Sequence, residues 1–173
     1  MPAVRNAGPW PIRALDAITR FGYGLALLVL AAMAVAYCYE VAARYFFNAP
    51  TRWISDYVAY GLCATIFLAV PDLTRRRAHV AITFLLDSAS AARAALLRRA
   101  IALACAAACL AAAWISAGEN LRQYRAGEET IAALPVAKWC VSIFITYGLL
   151  GAGLHFLRQA FERAPPAAAD SPA

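Results

Sequence analysis

Four apolar runs dominate the chain, and each is close to the length that crosses a lipid bilayer. They cover about residues 21–43, 53–73, 100–117 and 139–157. An α-helix rises 1.5 Å per residue, so about 20 apolar residues cross the ~30 Å hydrocarbon core of a membrane. The pattern therefore predicts an all-α integral membrane protein, with four transmembrane helices in one membrane domain over residues 21–157.

Polar segments flank and separate these runs. Residues 1–20 form a basic tail with three arginines, and residues 158–173 form an alanine- and proline-rich tail that is predicted to be disordered. Residues 80–97 are only moderately apolar and follow a dense basic loop. Such a segment is typical of a helix that lies along the membrane surface, so an interfacial cytoplasmic helix is predicted there.

The segment between the first two runs contains the residues that predict a shaped turn. Asn48 and Pro50 interrupt any helix, because proline lacks a backbone N–H and restricts the residue before it. Thr51 offers a hydroxyl that could cap the second helix. Trp53 suits a membrane–water boundary, and Asp56 falls where the helix dipole favours a negative charge. A turn this short predicts that the first two helices are antiparallel neighbours.

Small residues in the last two runs predict close helix packing, because they let helix backbones approach each other in lipid. The third run carries alanines at helical spacing, and the fourth run carries three glycines. They are Ala104, Ala108 and Ala112 in the third run, and Gly148, Gly151 and Gly153 in the fourth.

Composition agrees with insertion into a membrane. The chain is 63% hydrophobic and 15% charged, whereas a soluble domain carries about a quarter charged residues. The net charge of +6 does not indicate nucleic-acid binding, because the basic residues cluster between the apolar runs as orienting charges do. Eleven of the sixteen lysines and arginines lie in the two tails and the middle loop. This bias predicts that both termini are cytoplasmic.

The acidic residues of the apolar runs lie near basic partners. Glu40 precedes Arg44 by one helical turn, and Asp72 lies close to Arg75 and Arg76. These spacings predict ion pairs near the ends of the helices and leave the middle of all four helices without charge. This pattern fits an accessory subunit that has no polar path of its own across the membrane. A stand-alone proton-coupled exporter that uses Glu40 is an open alternative.

No cofactor, metal site or catalytic group is predicted. The two histidines, His79 and His155, fall near the same membrane surface, which does not suit a haem stack across the bilayer. The five cysteines lie in or at the edge of apolar runs, as small packing residues do. A membrane redox subunit with haem or quinone is the second alternative.

Three short motifs resemble the small membrane subunit of tripartite ATP-independent periplasmic (TRAP) transporters, the DctQ-like family. The first runs from Arg44 through the asparagine and proline of the turn to Trp53 and Asp56. The second is a basic-His-Val segment after the second run, and the third is a Leu-Pro pair followed by a tryptophan. The interface or structural residues that these motifs single out are Arg44, Asn48, Pro50, Trp53, Asp56, Arg77, His79, Pro135 and Trp139.

The resemblance implies a three-part importer in the bacterial inner membrane. In this family a periplasmic binding protein captures an organic acid such as a carboxylate, and a large membrane subunit moves it with a sodium gradient. This chain would be the small scaffold subunit, without enzymatic activity and with both termini in the cytoplasm. Its partners would be the large subunit, the binding protein and membrane lipids.

Overall fold

Four long α-helices make up the fold in a computed structural model that describes residues 10–49, 51, 53–76, 91–132 and 135–161. All four are long and apolar enough to cross a membrane, which confirms the predicted all-α membrane fold. Most of the predicted interfacial helix lies outside the described residues. The helices are α1 (Trp10–Phe47), α2 (Trp53–Arg75), α3 (Ala91–Ala126) and α4 (Lys138–Phe161).

Two of the helices extend well beyond the apolar runs of the sequence. α1 has 38 residues and α3 has 36, so they are about 57 Å and about 54 Å long. Both exceed the ~30 Å hydrocarbon core of a bilayer. α1 takes in half of the predicted basic tail, and α3 takes in residues 91–97 of the predicted interfacial helix. The predicted helix bounds are shorter than the observed ones. The prediction followed the apolar runs, whereas the helical backbone continues beyond them.

The main packing contacts join α1 to α2, α2 to α4, and α4 to α3. α1 and α2 are antiparallel, as predicted, and so are α3 and α4, whereas α2 and α4 run in the same direction. We call the end with the α1–α2 turn and the α3–α4 loop the turn end. The opposite end, where α1 begins and α2 and α4 finish, is the terminal end.

Glycines allow α4 to approach α2 closely, as predicted. A Cβ atom at Gly148 would lie 2.5 Å from the Phe67 carbonyl oxygen, and one at Gly151 would lie 2.7 Å from Pro71 Cγ. Pro71 lies inside α2 and has no N–H to donate to the Phe67 carbonyl, four residues earlier. Because Gly148 has no Cβ atom, the α4 backbone can lie directly beside that carbonyl.

α3 packs on α4 through a different row of small residues from the predicted one. Ala106 and Ala113 are 2% and 4% exposed, whereas Ala104 and Ala108 are exposed. Leu110 lies between the two buried alanines and contacts α4. Ala104 and Ala108 do not face α4, because an alanine-rich helix offers several rows of equally small residues. The contact with α4 selects one of them.

We expect Gly148→Ala to destabilise the protein by about 1–3 kcal/mol, because the new methyl group meets backbone that cannot rotate away. Gly118→Ala is the matched control, since Gly118 lies inside α3 with nothing within 4 Å of a Cβ atom. Alanine there should leave stability unchanged or raise it by about 0.5–1 kcal/mol. Thermal melting of both variants in one detergent tests this. Equal melting temperatures would contradict the proposed backbone contact.

Candidate functional site

The predicted turn forms at the end of α1, and its shape depends on Asn48. α1 ends at Phe47, and Asn48 then takes a left-handed backbone conformation with φ of 49°. Asparagine tolerates this conformation better than most residues and often follows a helix end for that reason. The Ala49 N–H donates to the Ala43 carbonyl at 3.2 Å, which satisfies one of the last acceptors of the helix. Pro50 lies outside the described residues.

Thr51 does not cap α2 as predicted. The helix begins at Trp53, so Thr51 stands two positions before it instead of at the capping position. Its Oγ1 atom is buried and has no hydrogen-bond partner in the part of the chain that the structure describes. Asp56 does lie in the first turn of α2, where the helix dipole favours its carboxylate.

The predicted ion pair between Glu40 and Arg44 is present at the turn end. Arg44 Nη2 donates to Glu40 Oε1 at 2.7 Å. The Glu40 side chain is 9% exposed and the Arg44 side chain is 61% exposed, so the guanidinium points outward. The second carboxylate oxygen, Oε2, is buried without a hydrogen-bond partner among the described residues. Because α1 continues to Phe47, Glu40 lies about 10 Å from the helix end, deeper than the sequence suggested.

Aromatic side chains surround this turn without being buried. Trp53 is about half-exposed, and Tyr45, Phe46 and Phe47 project almost fully from the end of α1. Exposed aromatic groups of this kind mark contact with the membrane–water boundary or with another protein. Together with the Arg44 guanidinium, they give the turn end a surface of charge and aromatic rings.

Charges and one aromatic contact hold the α3–α4 loop in place at the turn end. Trp139, in the first turn of α4, packs edge-on against Tyr124 of α3 with ring centroids 5.6 Å apart. Glu128 accepts hydrogen bonds from Arg122 at 2.9 Å and from Lys138 at 3.0 Å. The Lys138 hydrogen bond and the Arg122 charge lower the pKa of Glu128 below its ordinary value. This carboxylate is therefore charged at neutral pH.

Pro135 is exposed in the same loop, next to a short backbone bridge. The Thr130 N–H donates to the Val136 carbonyl at 2.9 Å, and the Val136 N–H donates to the Thr130 hydroxyl at 2.9 Å. Ile131 is fully exposed at the tip of the loop. The bridge fixes the loop backbone immediately before α4 begins.

A second polar cluster, at the terminal end, ties α1 to α4. Arg158 Nη1 donates to Asp16 Oδ1 at 3.1 Å, and Thr19 Oγ1 shares a hydrogen bond of 2.9 Å with His155 Nε2. Asp16, Thr19 and His155 are all at most 7% exposed. Burial of these polar groups is tolerated because each has a partner.

Asp72 and Thr74 supply polar groups of α2 at the terminal end of the bundle. The Asp72 carboxylate accepts hydrogen bonds from Arg75 at 2.6 Å and from Arg76 at 2.5 Å, which confirms the predicted pairing. Gln159 Nε2 of α4 donates to the Thr74 carbonyl at 2.6 Å. α2 and α4 are therefore joined by a polar contact beyond their close approach at the glycines.

Sequence reasoning missed the contacts between α1 and α4. The two residues of the Asp16–Arg158 pair are 142 positions apart, and those of the Thr19–His155 pair are 136 apart. Local spacing predicts pairs within one helix, such as Glu40 with Arg44, but not pairs between distant helices. The one signal in the sequence for such a contact was Asp16, an acidic residue among the arginines of the predicted tail.

The acidic groups buried inside the described helices are all paired. The buried carboxylates of the described helices, Asp16, Glu40 and Asp72, all have arginine partners. The described residues contain no group of three or more His, Cys, Asp or Glu side chains that could hold a metal ion. The predicted site residues Arg77 and His79 lie outside the described residues.

Comparison with known proteins gives the family of this chain. The family described as tripartite ATP-independent periplasmic transporters, DctQ component, matches residues 33–165, about three quarters of the chain. The matched segment contains the Glu40–Arg44 pair, the turn and all of α2, α3 and α4. No curated protein matches the chain. The chain belongs to the family of DctQ components, the small membrane subunits of tripartite ATP-independent periplasmic transporters.

Proposed function

We propose that this chain braces the large membrane subunit of an importer for an organic acid such as a carboxylate. The large subunit moves the acid with the sodium gradient, and a periplasmic binding protein delivers it. One observation carries the proposal: each of the three buried carboxylates in the described helices has an arginine partner. A subunit that moved ions alone would need a buried ionisable group that can change partners, or a wet cavity.

We place the terminal end in the cytoplasm and the turn end in the periplasm of a bacterial inner membrane. The excess of lysine and arginine in the tails and the middle loop supports this orientation. The exposed Arg44 and the aromatic residues of the turn then face the side from which a binding protein approaches.

Arg44 is the residue that we expect to contact a partner subunit directly. Its guanidinium has five N–H donors, of which one engages Glu40, and its side chain is largely exposed. Planar donors of this kind recognise carboxylates on another protein in a fixed geometry. The buried Glu40 carboxylate holds the guanidinium in position for such a contact.

A stand-alone proton-coupled exporter that uses Glu40 is the second candidate function. The buried Glu40 Oε2 atom without a partner favours it, because a proton could bind at that oxygen. The Arg44 charge beside the other oxygen opposes it, since a nearby cation favours the ionised carboxylate.

The orientation predicts the sides on which reporter fusions are active. Fusions after residue 80 and after residue 165 should report the cytoplasm, and fusions near Asn48 and Gly127 should report the periplasm. Alkaline phosphatase and green fluorescent protein at the same four positions give opposite signals for each side. A periplasmic signal at residue 80 would overturn the orientation.

Charge exchange at Glu40 and Arg44 tests the partner contact. Arg44→Glu should reduce co-purification of the large subunit, because it removes the exposed guanidinium and the internal pair. Glu40→Arg combined with Arg44→Glu restores the internal pair with its charges reversed, and we expect co-purification to stay low. Arg125→Glu, at an exposed position of the same end, is the control and should have no effect. Full recovery in the double variant would show that the pair is only internal.

Glu40→Gln separates bracing from proton transport. For a bracing subunit, we expect a modest loss of assembled complex, organic-acid uptake with the same coupling ion, and no uptake by this chain reconstituted alone. Complex yield and uptake should be measured on one preparation. If the isolated wild-type chain transports and Glu40→Gln abolishes that transport with normal insertion, the exporter function is correct.

A further inference from the structure

Two arginines and a tyrosine lie along the outer surface between α1 and α2 at the terminal end. Arg76, directly after α2, lies over the Tyr23 ring of α1, with its Cζ atom 5.3 Å from the ring centroid. This distance is typical of a cation–π contact. Arg20 precedes Tyr23 by three residues, so both side chains belong to one side of α1. We call this surface the α1–α2 seam and define it by Arg20, Tyr23, Leu27, Leu73 and Arg76.

The seam carries more positive charge than the nearby carboxylates neutralise. Asp72 accepts hydrogen bonds from two arginines, of which Arg76 is one, and the Arg76 side chain is 58% exposed. Arg20 is also exposed, and its guanidinium makes no hydrogen bond or ion pair with another described residue. Asp16, one turn before Arg20, is buried and accepts from Arg158 of α4 instead. A net positive charge therefore remains at the outer surface of the seam.

Exposed leucines continue the seam toward the middle of the two helices. Leu27 follows Tyr23 by four residues on α1 and is 51% exposed. Leu73 precedes Arg76 by three residues and is 46% exposed. Because α1 and α2 are antiparallel, both steps lead away from the terminal end. The seam is therefore positive at its end and apolar farther into the membrane, in the order of a phospholipid head group and acyl chain.

We propose that the α1–α2 seam binds one anionic phospholipid, with the phosphate between Arg20 and Arg76 and an acyl chain along the leucines. Basic sites between transmembrane helices bind anionic lipid head groups. Arg76 engages Asp72 through Nε, and its two Nη atoms donate to no described residue. Guanidinium groups with donors in a planar fork suit phosphate oxygens.

Charge selects this occupant over a zwitterionic lipid. A zwitterionic head group brings a cation beside its phosphate, and the excess positive charge of the seam repels that cation. The site lies in the cytoplasmic leaflet when the terminal end faces the cytoplasm. Lipid retention in detergent depends neither on that orientation nor on the transport role of the chain.

Native mass spectrometry of the full chain in detergent tests the seam. With equal amounts of phosphatidylglycerol and phosphatidylethanolamine, the wild type should retain one phosphatidylglycerol per chain with a roughly tenfold preference. Arg20→Gln should lower this preference roughly fivefold, because it removes one of the two charges at the phosphate. Arg99→Gln is the matched control, since it removes the same charge from an exposed position of α3, whose main packing partner is α4. It should leave the preference unchanged.

A second pair of variants tests the position of Arg76 without changing any charge. Tyr23→Leu removes the ring beneath the guanidinium and should lower the preference roughly threefold, while one lipid of either kind is still retained. Tyr37→Leu is the control, because Tyr37 is an exposed tyrosine of α1 that lies nearer the turn end. Melting temperatures of all four variants should match the wild type in lipid-free detergent, which shows that a change in preference does not follow from unfolding.

Three results would overturn the lipid site. Equal retention of the two lipids by the wild type would exclude selection by charge. Equal losses in Arg20→Gln and Arg99→Gln would show that net charge alone, and not the seam, attracts the lipid. If Arg20→Gln keeps the lipid preference and loses the large subunit, the seam is a protein contact. Failure of the bracing role would appear in co-purification of the large subunit and would leave lipid retention by the isolated chain unaffected.

Discussion

The close approach of α4 to α2 is the contact on which the rest of this structure depends. Pro71 leaves the Phe67 carbonyl without a helical donor, and Gly148 and Gly151 let the α4 backbone reach that side of α2. Larger side chains at these two positions would push the helices apart. With α4 held against α2, its last turns lie where the start of α1 can reach them, and the Thr19–His155 hydrogen bond forms there.

Pairing with arginine explains how this largely apolar chain keeps acidic residues inside its helices. A lone carboxylate in an apolar interior is costly, whereas one that accepts hydrogen bonds from arginine is tolerated. Asp72 is 1% exposed and accepts from Arg75 of its own helix and from Arg76, which directly follows that helix. Asp16 instead depends on Arg158 of α4. The first arrangement stabilises the end of one helix, and the second joins two helices.

The two ends of the bundle differ in what they expose. At the terminal end most polar groups face other helices, and an apolar groove with Arg158 in its wall opens to the surroundings. At the turn end the Arg44 guanidinium and the aromatic rings beside it point outward, although Glu40 is buried. The described helices thus combine paired polar groups inside with an outward surface of charge and aromatic rings.

The sequence by itself determined the local features of this protein. Apolar runs indicated four spans, one-turn spacing indicated the pairs of Glu40 with Arg44 and of Asp72 with its arginines, and Asn48 indicated the turn. These features depend on residues a few positions apart, whose geometry the helix fixes. Only the tertiary structure decided that Ala106 and Ala113 pack on α4, and that Asp16 meets Arg158. An alanine-rich helix has no preferred face of its own, and a pair 142 positions apart forms only where helix packing brings the two residues together.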